Sequence, residues 1–168
     1  MPRSLSEVVF VDGVRTPFGK AGEKGIYAQT RADDLVINCI RELLRRQPQL
    51  PAEKVEEVAI AATTQIGDQG LTLGRVAALL SGLPKTTPGY SVDRMCAGAM
   101  TAVTNTASSI AFGAYDVAIA GGVESMSRVP MGSDGGAMFT DPATAYDLYI
   151  APQGIGADLI ATIEGFSR

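Results

Sequence analysis

Short β-branched runs alternate with helical patterns along this chain, and the runs lead into turns and glycines. EVVFV (7–11), EVAIAA (57–62), TPGYSV (87–92) and AYDVAIAGG (114–122) read as strands. Helical patterns fill the intervals: one from about Arg31 to Arg46, one over LTLGRVAALLSG, and one from Ala97 to Phe112 that Gly113 ends. Strands separated by helices predict a largely parallel sheet, joined by right-handed crossovers and covered by helices. The expected class is therefore α/β.

The first helix carries the clearest signals. Thr30 is placed to cap it, Asp33 and Asp34 put negative charge in its first turn, and Arg45 and Arg46 suit its carbonyl end. Val36, Ile40, Leu43 and Leu44 share one face, with Leu35 and Cys39 beside it, and Pro48 stops the helix. After Gly122 the texture changes. Residues 124–154 are rich in Gly, Met, Pro, Ser and Asp with little periodicity, as in a long functional loop region. A last helical pattern, GADLIATIEG, closes on Phe166, Ser167 and Arg168. The organisation expected is an α/β domain over 1–123, followed by a second region over 124–168.

Composition excludes several classes. With 46% hydrophobic and 19% charged residues the chain is globular. A net charge of -4 offers no electrostatic reason to bind nucleic acid or an anionic membrane. No stretch approaches the ~18 uninterrupted apolar residues of a membrane span. MPRSLSEVVFVDG has no long apolar core of a secretory signal, so the cytoplasm is the expected compartment. The 2 cysteines do not make a disulfide framework, and with 0 histidines there is no zinc-type ligand set. No G-x-G-x-x-G or G-x-x-x-x-G-K-[ST] spacing marks a nucleotide site.

The cysteines differ in position. Cys39 lies mid-helix beside an apolar face, where a free thiol acts as a small hydrophobe. Cys96 stands where a strand ends and a helix starts, followed by Ala97, Gly98 and Ala99. Unpaired N–H groups and the positive end of a helix dipole favour a thiolate at such a position. The same small residues equally suit tight packing of a central helix, so position alone leaves a reactive and a structural thiol both open. Met126, Met131 and Met138 suit either the lining of an apolar cleft or gap-filling in a core.

YSVDRMCAGAMTAV, followed by DVAIAGGVESMSRVPM, resembles the N-terminal half of a thiolase (an acetyl-CoA C-acyltransferase). VDGVRTPFGK looks like the family's opening strand and loop, and QGIGADLIATIEGFSR is similar to a helix of its loop domain. The resemblance runs along almost the whole chain. It implies one half of a five-layered α/β/α/β/α architecture: the nucleophile-bearing domain over 1–123 and the beginning of the loop domain over 124–168. It also implies that Cys96 is the nucleophile. Cys96 would take an acyl group from a 3-ketoacyl-CoA as acetyl-CoA leaves, and coenzyme A would then remove the shortened chain, as in fatty acid β-oxidation. The reverse Claisen condensation uses the same residues.

Met126 and Gln153 are the substrate-pocket residues that the resemblance implies, Gln153 standing where the family usually has a methionine. Asp93 replaces the family's usual Asn, Ser or Thr, and Gly98 its usual Ser or Thr. The family's activating histidine, second cysteine and Asn-Glu-Ala-Phe segment belong to a C-terminal half, and none occurs here. The chain by itself is thus expected to be inactive, with that half as its first partner. The resemblance implies a homodimer or homotetramer and admits a hydratase–dehydrogenase as a further partner. No cofactor is expected, the coenzyme A thioesters being substrates. The rival expectation is a non-catalytic domain that binds acyl-CoA or serves assembly, which Asp93, Gly98 and the absent base all permit.

Overall fold

Three of the four β-branched runs pair, and all pairing is parallel. Glu57–Ala61 (β1) lies between Gly89–Val92 (β2) and Ala118–Gly122 (β3), in the order β2-β1-β3. Val58 sits opposite Gly89 on one side and Ile119 on the other. A computed structural model provides this architecture and describes residues 5–167; Arg168, the last residue of the closing motif, lies outside them. Helices Ala32–Arg46 (α1), Leu73–Ser81 (α2) and Gly98–Phe112 (α3) complete the α/β arrangement, α2 joining β1 to β2 and α3 joining β2 to β3.

The side-chain alternation of β1 explains how the helices distribute. Val58 and Ile60 join one apolar cluster with Val36, Ile37 and Ile40 of α1 and Leu73, Ala77 and Ala78 of α2. Burying side chains such as Ile40, Leu73 and Val58 contributes about 1.5–3 kcal/mol each. Ala59 and Ala61, also buried, alternate to the opposite face. There α3 packs on the sheet through Gly98 and Ala99. Large residues thus meet two helices on one face, and small residues admit one closely packed helix on the other.

α2 and α3 each end at a glycine in the left-handed region, Gly82 and Gly113, which carries no Cβ penalty there. The start of α1 differs from expectation. Arg31, not Thr30, occupies the cap position, and no side chain caps it. Instead the buried Asp33 carboxylate, paired with Arg31, accepts a hydrogen bond from Asp34 N at 3.1 Å. An acid inside the first turn has taken over the neutralisation of free N–H groups.

EVVFV does not form the expected buried strand. Residues 7–11 join no ladder, and Phe10 is 84% exposed. A β-branched run states what the backbone can adopt, whereas a strand also needs a neighbour and a covering face. Among the described residues, β2 and β3 are the edges of the sheet, and neither pairs with this run. Its neighbour Ser6 makes one backbone bond, donating to Ala111 O at 2.9 Å.

Chain contacts define one unit that ends at Ser133 and another that begins at Asp134. Residues 124–133 hold to the first: Val129 is buried, Arg128 pairs with Asp68, and Ser127 Oγ accepts from Gly22 N at 3.1 Å. The second unit contains Ala137–Thr140 (α4), Pro142–Asp147 (α5) and Gln153–Glu164 (α6). Asp141 caps α5 by accepting from Thr144 N at 2.9 Å, with Pro142 in the first turn. α6 starts at Gln153, ahead of the GADLIATIEG pattern, because Pro152 supplies a cap position and Gln-Gly-Ile continues the turn. Among the described residues no helix is long and apolar enough to cross a membrane, and no His, Cys, Asp or Glu group is arranged to hold a metal ion.

Candidate active site

Parallel strands bring their carboxyl ends to one edge, and ligands of open α/β sheets bind outside that edge. β2 leaves the sheet at Val92, whose carbonyl accepts from Ala62 N at 3.2 Å. The chain then tightens into a 3-10 turn over Met95–Ala97 and becomes α3 at Gly98. Cys96 lies inside that turn, and its side chain is exposed.

Two local features shape the turn. Asp93 Oδ1 accepts a hydrogen bond from Met95 N at 2.7 Å, and Ala97 N donates to Arg94 O at 3.0 Å. Met95 has φ +45°, in the left-handed region that residues with a Cβ enter at a cost. The Asp93 carboxylate thus acts on the residue just before the cysteine.

Gly98 explains the closeness of helix and sheet. A Cβ placed on it would lie 2.9 Å from Ala61 Cβ, and one on Gly122 would lie 3.0 Å from Ala99 Cβ. The amino end of α3 therefore rests on the last residues of β1 and β3, where no side chain separates them. At position 98 a Cβ fits only if its neighbour shifts, so glycine suits this seat. Cys96 thus stands two residues before Gly98, the first residue of α3, beside a helix end that favours negative charge. The chain itself holds no histidine to pair with this thiol.

Cys39 has a different setting. It is half-buried in α1, and burial pushes its thiol up, opposed by a hydrogen bond from the Thr16 backbone. It lines a cavity of about 340 Å³ with Thr16, Phe18, Ile60 and Met126. Met126 is half-exposed at that cavity, whereas Cys96 is not among its lining residues. Gln153 opens α6 in the second unit and is exposed. Cys96 and Met126 thus belong to one unit and Gln153 to the other.

The loop after β3 is held by a side chain that sequence reasoning missed. Gln69 is fully buried; its Nε2 donates to Thr64 O at 2.8 Å and to Glu124 Oε1 at 2.7 Å. Its Oε1 accepts from Ser125 N at 2.6 Å, and Glu124 Oε2 accepts from Thr63 N at 2.8 Å. This network ties the VES segment to the exit of β1. No spacing in the sequence marks it, because it joins main-chain groups and a carboxylate from both a near and a remote segment.

The family model described as "Thiolase, N-terminal domain" matches residues 8–156. A 3-ketoacyl-CoA thiolase of Colwellia psychrerythraea is 36% identical over 166 residues, covering 98% of this chain and 42% of that protein. A 3-ketoacyl-CoA thiolase of Bacillus subtilis is 42% identical over 127 residues, covering 76% of this chain and 32% of that one. In Escherichia coli, a 3-oxoadipyl-CoA/3-oxo-5,6-dehydrosuberyl-CoA thiolase is 41% identical over 126 residues, 75% of this chain and 31% of its own length. Among solved structures, the Bacillus anthracis acetyl-CoA acetyltransferase superposes with a TM-score of 0.69 at 31% identity, over 76% of this chain and 31% of that one. The chain spans less than half the length of each of these relatives.

Proposed function

The chain belongs to the thiolase family, and from that premise we propose that it is the nucleophile-bearing portion of a thiolase, with Cys96 as the acyl acceptor. The observation that carries this reading is the exposed Cys96 in the turn between β2 and α3, seated on Ala61 through Gly98.

The reaction follows from the chemistry of a thiolate. Cys96 sulfur attacks the ketone carbon of a 3-ketoacyl-CoA, and a negatively charged oxygen forms on that carbon. As the carbonyl re-forms, the bond to the adjacent carbon breaks and its electron pair leaves with the acetyl-CoA portion, which takes up a proton. The shortened acyl chain is left as a thioester on Cys96. The thiolate of free coenzyme A attacks this thioester, the new acyl-CoA departs, and Cys96 is released as a thiolate ready for reprotonation. Sulfur serves both halves because it is a strong nucleophile and a good leaving group. In the reverse direction the same thioester accepts the acetyl-CoA carbanion, giving the Claisen condensation.

The proton acceptors and donors of both halves are assigned to the rest of the family fold, since this sequence holds no histidine. The working assembly is this chain joined to that C-terminal portion, as a homodimer or homotetramer. Met126 and Gln153 are assigned to the acyl-CoA pocket, and a hydratase–dehydrogenase is the proposed supplier of the 3-ketoacyl substrate. No cofactor takes part.

The test is turnover of a 3-ketoacyl-CoA by the chain assembled with a thiolase C-terminal portion. Cleavage that is lost in Cys96→Ala and kept in Cys39→Ala is expected. Cleavage that survives Cys96→Ala would overturn the assignment.

A further inference from the structure

The turn that carries Cys96 is built around an unfavourable backbone. Met95 has a Cβ and a long side chain, 58% exposed, yet sits at φ +45°. No burial of the methionine side chain offsets that cost. The Met95 N–H donates to Asp93 Oδ1 at 2.7 Å, a side-chain bond made directly to the residue in the costly conformation. A hydrogen bond to a carboxylate is stronger than one between neutral groups, which suits it to hold a residue outside its preferred region. The next residue is Cys96, so the Met95 conformation sets the path of the backbone that carries the sulfur.

We propose that Asp93 is a positioning residue for Cys96: its carboxylate pins the left-handed Met95 and thereby fixes the turn from which the sulfur meets its substrate. This rests on Cys96 being the nucleophile. Asp93 acts through the backbone and touches no reacting atom. Removing its oxygen lets Met95 relax into an ordinary region, which rotates the peptide entering Cys96. An amide in its place keeps the acceptor and so keeps the turn. Glycine at position 95 enters the left-handed region at little cost, so it needs the tether less.

The experiment compares Asp93→Asn, Asp93→Ala, Met95→Gly and the double variant Asp93→Ala/Met95→Gly. Amide hydrogen exchange at residue 95 is read on the chain itself, with far-UV circular dichroism to establish folding. Acyl transfer to Cys96 from a 3-ketoacyl-CoA is read on the chain assembled with a thiolase C-terminal portion. Asp93→Ala is expected to speed exchange of the Met95 amide and slow acyl transfer by about tenfold each, the effect of losing roughly one charge-assisted bond. KM should hold while kcat falls. Asp93→Asn is expected within about threefold of the parent in both, and Met95→Gly is expected to restore most of the acyl transfer lost in Asp93→Ala.

Unchanged exchange in Asp93→Ala overturns the tether. Faster exchange with acyl transfer at the parent rate overturns the positioning role while leaving the nucleophile in place. If Asp93→Ala does not fold, Asp93→Asn decides: exchange and acyl transfer near parent values support the tether, and a tenfold loss in either refutes it. Cys96→Ala run in parallel separates these results from failure of the nucleophile assignment, which alone would leave its turnover intact.

Discussion

Gly98→Ala probes the seat of α3 with one methyl group. Gly98 has right-handed helical angles, φ -57° and ψ -50°, so its backbone accepts alanine without strain. The added carbon would lie 2.9 Å from Ala61 Cβ. Carbon atoms prefer separations of about 3.5–4.0 Å, so the contact is short by roughly 0.6–1.1 Å. Overpacking of this kind costs about 1–3 kcal/mol. Alanine returns up to about 1 kcal/mol through helix propensity, less in a first turn. The net is a destabilisation of about 1 kcal/mol, which lowers the melting temperature by roughly 2–4 °C in a chain of this size. Urea denaturation at fixed pH measures it. Ala61→Gly in the same chain removes the opposing carbon, so the double variant should be more stable than the sum of the two single effects by at least about 0.5 kcal/mol. Gly98→Ala at or above parent stability, with strictly additive behaviour in the double variant, would refute the claim that closeness to Ala61 favours glycine.

Two further outcomes follow from buried groups. Gln69→Leu leaves the Ser125 N–H without its partner and takes a donor from the Glu124 carboxylate, so denaturation should show a loss of about 1–3 kcal/mol, the cost of one unsatisfied buried group. Equal stability of parent and variant would contradict the network. Cys39 keeps its proton more firmly folded than unfolded, because burial pushes its thiol up. That contribution is complete below the unfolded value of about 8.5 and fades as pH rises through the higher folded value. The stability of the parent relative to Cys39→Ala should therefore decline above about pH 8.5, and iodoacetamide should modify the exposed Cys96 before Cys39. A parent-to-variant difference that grows with pH would contradict the direction of the shift.

The legible part of the fold was the part written in local pattern. EVAIAA, TPGYSV and AYDVAIAGG became β1, β2 and β3 because each run had a neighbour in the chain, and Gly82 and Gly113 ended helices as glycine does. EVVFV is richer in β-branched residues than any of these and stayed unpaired, since pairing depends on an edge and a cover that the run itself does not encode. At the site, the strand-to-helix junction at Cys96 was readable from residue types. The left-handed Met95, the contact of Gly98 with Ala61 and the bonds of Gln69 were not. Each depends on the approach of segments remote in sequence, or on a backbone angle that methionine does not advertise.

The central claim is tested most directly by trapping the covalent intermediate. The chain, assembled with a thiolase C-terminal portion, is mixed with a 3-ketoacyl-CoA and quenched in acid, and its peptides are weighed. The expected result is an acyl group on the peptide containing Cys96, none on that containing Cys39, and its loss when coenzyme A is added before the quench. An acyl group on another residue, or full turnover with Cys96 never acylated, would contradict the account.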